Sequence, residues 1–230
     1  MKLYATVLLA ILCTACTHDT NLGEKYIGKP YLNNPLGEGI KPDDDPLIRF
    51  DAFDCATFVE TVLADGNLDK MNQIRYSGKQ PNIINRNHFI ETDWLENNSG
   101  LVTNVSAQYA QTATRNVIID KKKWFQTVHN IDTDFAIRSV NLEYIPYTNA
   151  LGISVEKPVV VLFIIDSPKI RTKIGTDLAV RHMGFLLPNG ILRHASRKSG
   201  AVVDENFEKY ITQLMKNKNN LGIMLLEIKK

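Results

Sequence analysis

The stretch Phe53-Asp54-Cys55-Ala56-Thr57-Phe58-Val59-Glu60 predicts the start of an amphipathic helix. Asp54 or Asp51 can cap this helix, and Asp65-Gly66-Asn67 can end it. Cys55 is therefore expected in the first turn, where backbone N–H groups have no helical partner. Apolar side chains recur at i, i+3, i+4, i+7 and i+8 and make one stripe, namely Cys55, Phe58, Val59, Val62 and Leu63.

The position of Cys55 suits a reactive thiol. A helix N-terminus lowers the pKa of a cysteine, and a neighbouring imidazole lowers it further. Of the three cysteines in the chain, Cys13 and Cys16 lie near the N-terminus, so Cys55 is the one expected in the folded body. A single cysteine on an apolar stripe is more often a small core residue. A catalytic Cys55 would have a low pKa and would be alkylated quickly at neutral pH.

Later segments predict an antiparallel sheet. Val159–Ile165 is typical of a fully buried strand, and residues 222–228 predict a closing strand. Pro188-Asn189-Gly190 predicts a hairpin between the strands on either side of it. Helices are expected over residues 105–116 and 210–215. One helix that carries the cysteine, followed late in the chain by antiparallel strands, indicates an α+β fold.

The length of the hairpin loop decides where two histidines lie. A two-residue loop would place His194 opposite Phe185, with His182 on the other face of the sheet. A three-residue loop would place His194 opposite Gly184, with His182 as a diagonal neighbour on the same face, within roughly 7–8 Å. A site with both histidines therefore requires the loop Pro188-Asn189-Gly190 to have three residues, or a bulge.

The side chains of Cys55, His182 and His194 together suit amide hydrolysis. Cys55 would be the nucleophile and His182 the general base that later protonates the leaving amine. His194 would orient the His182 ring. The backbone N–H of Cys55 is a candidate donor to the oxyanion.

Several motifs resemble known families. Phe53-Asp54-Cys55, His182-Met183-Gly184-Phe185 and Leu192-Arg193-His194-Ala195-Ser196 resemble the NlpC-like branch of the papain-like cysteine hydrolases. Asn34-Pro35-Leu36-Gly37-Glu38-Gly39 and the segment 86–94 are similar to the AmiA-like N-acetylmuramoyl-L-alanine amidase family. The resemblance extends over roughly residues 31–228.

The resemblance implies both a fold and an activity. The fold would be papain-like, with the nucleophile helix packed on an antiparallel sheet and a large insertion at about 67–157. The activity would be cleavage of the amide bond between N-acetylmuramic acid and L-alanine in peptidoglycan, with no metal and no cofactor. Two other functions stay open: a D-glutamyl–diamino-acid endopeptidase, and a catalytically inactive wall-binding lipoprotein.

The segment 86–94 is dense in polar and aromatic residues. Its members could line a cleft that holds sugar or peptide, and the candidates for substrate binding are Asn87, His88, Glu91, Asp93 and Trp94. Alternatively, His88 forms a hydrogen bond within a loop and packs with its aromatic neighbours. Alternatively, Cys55 and the histidines His88, His182 and His194 could bind zinc, although their spacings contain no compact ligand motif.

The N-terminus indicates export. Met1-Lys2, the apolar run Leu3–Leu12 and Cys13-Thr14-Ala15-Cys16 have the layout of a secretory signal, and Ala15-Cys16 resembles a bacterial lipobox. We expect a signal over residues 1–16, lipidation at Cys16 and a single hydrolase domain over 17–230. By resemblance to Gram-negative lipoproteins, Thr17 after Cys16 implies anchoring in the outer membrane, facing the periplasm. Ordinary secretion is the alternative.

The net charge of the chain limits the classes of partner that we expect. A net charge of +2 over 230 residues gives no electrostatic footprint for nucleic acid. The expected partners are peptidoglycan or a muropeptide, together with a membrane if Cys16 carries a lipid. The protein is expected to be a monomer.

Overall fold

A computed structural model describes residues 21–78 and 80–229; the predicted signal and Cys16 lie outside these residues. The strands in this part of the chain form one antiparallel sheet with the order β2-β3-β8-β4-β5-β6-β7, and β1 also pairs with β8. The α+β class is confirmed. The strands are β1 (Val102–Asn104), β2 (Ala113–Ile119), β3 (Arg138–Pro146), β4 (Val159–Ile165), β5 (Val180–Leu186), β6 (Ile191–Ser196), β7 (Ala201–Asn206) and β8 (Asn220–Ile228).

The helices are short. None of those within the two described ranges has the length and apolar character needed to cross a membrane. A 3₁₀ turn at Glu24–Tyr26 and a π-helical turn at Ile90–Trp94 accompany them. The helices are α1 (Cys55–Leu63), α2 (Leu68–Arg75), α3 (Leu95–Asn97), α4 (Ser106–Tyr109), α5 (Lys121–His129), α6 (Tyr147–Ala150), α7 (Pro168–Ile174) and α8 (Phe207–Leu214).

The start of α1 follows from its capping residues. The Asp54 carboxylate accepts a hydrogen bond from the Thr57 N–H at 2.9 Å, and the Thr57 hydroxyl accepts one from the Asp54 N–H at 3.0 Å. This reciprocal capping box begins the helix at Cys55, as the sequence predicts. The first turn is thereby held in place with the cysteine at its N-terminal end.

The apolar stripe of α1 covers one face of the sheet. Phe58 is fully buried and packs edge-to-face on Phe185 of β5, with ring centroids 5.8 Å apart. Burying one such side chain stabilises the fold by about 1.5–3 kcal/mol. A second cluster on the sheet includes Phe163 of β4 with Phe207 and Ile211 of α8. Every residue of β4 is buried, which confirms its prediction as a core strand.

The predicted insertion contributes to the central sheet. It supplies β1, β2 and β3, and both β1 and β3 pair with β8. The predicted helix over 105–116 is wrong: only Ser106–Tyr109 is helical, and Ala113–Ile119 forms β2. The physical reason is the pairing of β2 with β3, which satisfies the backbone of residues 113–119.

Candidate active site

The β5–β6 hairpin has the predicted three-residue loop. Phe185 pairs with Arg193, and the Leu187 N–H donates to the Ile191 carbonyl at 2.9 Å. The register therefore places His194 opposite Gly184, as expected. A Cβ added at Gly184 would lie only 2.8 Å from the His194 Cβ, so the absence of a side chain there leaves space for the histidine.

The hairpin brings the two histidines into direct contact. His182 Nε2 lies 2.6 Å from His194 Nδ1, and the ring centroids are 4.9 Å apart. His194 is buried, whereas His182 is half-buried. Burial, with smaller effects of His194 and Arg181, lowers the pKa of His182 to about 3. Both rings are thus held next to each other in a setting that favours a neutral His182.

The Cys55 thiol lies next to β5, the strand that carries His182. Cys55 is half-buried in the first turn of α1, and the backbone N–H groups of Met183, Ala56 and Cys55 itself face its sulfur and lower its pKa. Met183 directly follows His182 in β5. The thiol therefore lies against the backbone of β5, the strand that carries His182.

The predicted low pKa of the thiol is wrong. Burial raises the pKa of Cys55 to about 12, and the neighbouring Asp54 charge adds to this effect. Enclosure of the sulfur between the helix and the sheet outweighs the helix N-terminus and the nearby N–H groups. The setting of Cys55 therefore favours a neutral thiol, just as the setting of His182 favours a neutral imidazole.

Two further residues border the pair, and neither was a candidate from the sequence. His194 Nε2 lies 3.0 Å from the Glu205 carboxylate of β7. The Tyr210 ring of α8 lies 5.1 Å from the His194 ring and 6.2 Å from the His182 ring. The signal for Glu205 was present in the sequence. If Ser196 pairs with Ala201 across the turn, alternation makes Glu205 a diagonal neighbour of His194 on the same face.

Three of the predicted substrate residues are engaged inside the fold. Glu91 and Trp94 are 3% and 0% exposed, so they are corrected from cleft residues to core residues. Glu91 accepts hydrogen bonds from the N–H groups of Ala179 and Val180 at the start of β5. His88 contacts the Ile83 carbonyl through Nε2 at 2.6 Å, which matches the structural alternative for this residue.

The other two predicted substrate residues line a cavity. Asn87 and Asp93 border a space of about 230 Å³ within the insertion, together with Lys121 and Phe135. Lys121 forms an ion pair with Asp93 at 2.9 Å and lies 4.6 Å from the Phe135 ring centroid. Cys55 is not among the residues that line this cavity, so the structure does not join it to the thiol.

The geometry does not assemble a zinc site. No cluster of three histidine, cysteine or acidic side chains that could hold a metal ion occurs within residues 21–78 and 80–229. His88 lies against Trp124 and Phe125 of α5, with ring centroids 4.6 and 5.2 Å away. It is therefore occupied in a separate aromatic cluster.

Comparisons with known proteins confirm the AmiA-like resemblance. The family model described as AmiA-like, N-acetylmuramoyl-L-alanine amidase-like, matches residues 21–219. A solved structure of a protein from Legionella pneumophila strain Philadelphia 1 is similar, with a TM-score of 0.83 and 24% identity over 91% of this chain and 87% of that chain. An N-acetylmuramoyl-L-alanine amidase from Bacteroides uniformis has a TM-score of 0.69 and 21% identity, over 91% and 97% of the two chains. No curated protein matches.

Proposed function

The chain belongs to the AmiA-like, N-acetylmuramoyl-L-alanine amidase-like family, and from this premise we propose that it is a papain-like, NlpC-like cysteine hydrolase. Its substrate is peptidoglycan or a muropeptide, in which it cleaves the amide bond between N-acetylmuramic acid and L-alanine. The observation that carries this proposal is the Cys55 thiol in the first turn of α1, beside the strand that presents the His182–His194 pair.

The reaction begins with a proton transfer. The Nε2 atom of His182 lies within hydrogen-bond distance of His194. Nδ1 is therefore the nitrogen of His182 that can accept the thiol proton. Because the resting thiol is neutral, the proton moves to His182 as the sulfur attacks the amide carbonyl carbon. The carbonyl oxygen becomes an oxyanion, and the Cys55 N–H is the candidate donor to it.

The second half of the reaction returns the proton. Collapse of the tetrahedral intermediate breaks the C–N bond, and His182 protonates the L-alanine nitrogen as it leaves. The N-acetylmuramoyl group then stays on Cys55 as a thioester. Water, deprotonated by His182, attacks the thioester and releases the muramoyl carboxylic acid and the free thiol.

Product analysis tests this proposal. Purified peptidoglycan is digested with the wild type, with Cys55→Ala and with His182→Ala, and the products are analysed by mass spectrometry. We expect free stem peptides that begin with L-alanine from the wild type and none from Cys55→Ala. His182→Ala should lower the rate by about 10²- to 10⁴-fold, because it removes the general base. His129→Ala, at an exposed histidine at the end of α5, is the matched control.

Two results would overturn the proposal. Products cut after D-glutamate would assign the protein to the endopeptidases of stem peptides. Identical digests from the wild type and Cys55→Ala would indicate a wall-binding protein without cysteine catalysis.

Asn87 and Asp93, on the wall of the insertion cavity, remain the candidates for a further contact with glycan or peptide.

We also propose that the protein is exported and acts at the wall as a lipid-anchored monomer. The support is the sequence layout of residues 1–16, with Cys16 as the acceptor of the lipid. Metabolic labelling with a radioactive fatty acid should label the wild type and not Cys16→Ala. Label on neither protein would favour ordinary secretion.

A further inference from the structure

We propose that Glu205 is a positioning residue that sets the tautomer of His194 and thereby selects the nitrogen of His182 that acts as the base. The inference rests on the proposed function for its catalytic meaning. Its structural part concerns where two protons lie in the resting protein. Glu205 touches neither substrate nor the reacting atoms; it acts through His194.

Three groups lie in a row. Glu205 Oε1 is 3.0 Å from His194 Nε2, and His194 Nδ1 is 2.6 Å from His182 Nε2. The backbone fixes this row, because His194 pairs with Val203 in the β6–β7 register and Glu205 is the next residue on that face. The Ser196 hydroxyl donates to the same oxygen, Glu205 Oε1, at 3.4 Å.

Hydrogen-bond chemistry allows one arrangement of protons in this row. An ionised carboxylate can only accept, so His194 must carry its proton on Nε2. His194 Nδ1 is then an acceptor, and His182 must donate to it from Nε2. In a neutral His182 the proton on Nε2 leaves Nδ1 as a lone pair, which is the form a general base requires.

Without the carboxylate, the opposite arrangement becomes available. His194 could carry its proton on Nδ1 and donate to His182 Nε2. His182 would then hold its own proton on Nδ1, where it could not accept a proton from Cys55. Glu205 removes this inactive arrangement because a proton on His194 Nδ1 would leave Nε2 as a lone pair facing the carboxylate.

The carboxylate also supports the charge that forms during the reaction. When His182 takes the thiol proton, the imidazolium donates through His194 toward Glu205. Glu205 and Asp204 raise the pKa of His194 against the effect of burial. The other titratable or charged groups around the pair are Arg181, whose charge lowers the pKa of His182, the Cys55 thiol and Tyr210 of α8.

The experiment compares Glu205→Ala and Glu205→Gln with the wild type and with Glu208→Gln, an exposed glutamate in the first turn of α8. The first readout needs no substrate. In protein labelled with ¹⁵N in its histidines, long-range ¹H–¹⁵N spectra identify which ring nitrogen carries the proton. We expect His194 as the Nε2–H form in the wild type and in Glu208→Gln. We expect a shift toward the Nδ1–H form in Glu205→Ala.

The second readout is kinetic. We expect Glu205→Ala to lower kcat by about 10- to 100-fold with little change in KM, a smaller loss than removal of the base itself. Glu205→Gln keeps an acceptor oxygen and should recover part of kcat. Both variants should move the acid limb of kcat/KM to lower pH, because they remove a negative charge that raises the pKa of His194, the residue in contact with His182. A merely structural role would not move this limb.

The outcomes separate this inference from the proposed function. His194 as the Nδ1–H form in the wild type, or an unchanged tautomer in both folded Glu205 variants, would overturn the inference. A tautomer change in Glu205→Ala would support it even if the wild type released no stem peptides, a result that would overturn the proposed function alone. Thermal unfolding of each variant verifies that the spectra come from folded protein.

Discussion

Cys55 and His182 lie in a setting that disfavours charge on either side chain. Burial raises the pKa of the thiol to about 12 and lowers the pKa of the imidazole to about 3. Both shifts act against a preformed thiolate–imidazolium pair. In the proposed mechanism, the proton transfer is therefore coupled to attack of the sulfur on a bound amide.

This setting predicts an unusual pH profile for catalysis. A histidine with a lowered pKa stays neutral as the pH falls through 6.5, so it keeps its ability to accept a proton. We expect kcat/KM on a soluble muropeptide to stay nearly constant from pH 7 to about pH 5 and to fall only at lower pH. An inflection between about pH 6 and 7 would show instead that the base titrates as an ordinary histidine.

The same reasoning predicts slow alkylation of the resting enzyme. Because the pKa of Cys55 is raised, only a small fraction of thiolate exists at neutral pH. The rate of reaction with iodoacetamide should rise with pH up to at least pH 9. A rate that reaches a plateau below pH 8 would indicate a thiol with a lowered pKa.

Gly184 has a specific role in the site. Its missing side chain gives His194 its space, since a Cβ there would approach both the His194 Cβ and the Arg193 carbonyl oxygen at 2.8 and 2.9 Å. Gly184→Ala should destabilise the fold by about 1–3 kcal/mol through overpacking and should reduce kcat by displacing His194. Gly100→Ala, where no atom lies within 4 Å, is the control for the loss of a glycine. Equal kcat for both variants would contradict this role.

At the scale of elements, the register of the β5–β6 hairpin determines that His182 and His194 lie side by side. From the sequence, Pro188-Asn189-Gly190 predicted a hairpin with a loop of two or three residues, and the strand period of two placed both histidines on one face only for a loop of three or a bulge. Gly190 adopts a positive φ of 73°, as this loop type requires. The placement of His182 next to His194 could therefore be predicted from about fifteen contiguous residues once the loop was taken to have three.

Shortening this loop should destroy the site while leaving most of the fold intact. Deletion of Pro188 favours a two-residue loop, and a shift of the register by one would turn His194 away from His182. We expect loss of peptidoglycan hydrolysis in a protein that still unfolds cooperatively. Asn189→Ala, which keeps the loop length, should retain activity. Full activity of the deletion variant would contradict the dependence on register.

Other elements could not be predicted in this way, because their cause is distant in sequence. Ala113–Ile119 is a strand because it pairs with residues 138–144, and no local signal marks that partner. The burial of Glu91 depends on the start of β5, nearly ninety residues later. The raised pKa of Cys55 depends on packing of α1 against β5. Each feature requires long-range contacts that one sequence does not specify.

At the scale of the whole molecule, the insertion braces both halves of the candidate site. Trp94 donates to Glu60 of α1 at 3.1 Å, and Glu91 accepts from the N–H groups of Ala179 and Val180 where β5 begins. The segment that was predicted to line a substrate cleft thus connects α1 to the start of β5. The Glu91 carboxylate is buried, and one of its oxygens accepts from two backbone N–H groups inside the fold.

Removal of one brace tests this view. Glu91→Ala would leave two buried N–H groups without acceptors, at a cost of about 1–3 kcal/mol each. We expect a marked decrease in the free energy of unfolding, measured by urea denaturation. Glu96→Ala, at a glutamate whose side chain is 70% exposed, should change it by about 0.5 kcal/mol or less. Equal effects of the two variants would contradict the bracing role.

The most direct test of the central claim is to identify the acyl group on Cys55 during turnover. The wild type is mixed with a muropeptide, quenched in acid at early times and mapped by peptide mass spectrometry. We predict an N-acetylmuramoyl thioester on the peptide that contains Cys55, and no adduct in Cys55→Ala. An L-alanyl-γ-D-glutamyl adduct on Cys55 would contradict the bond assigned to the enzyme. Hydrolysis by Cys55→Ala at the wild-type rate would contradict the nucleophile itself.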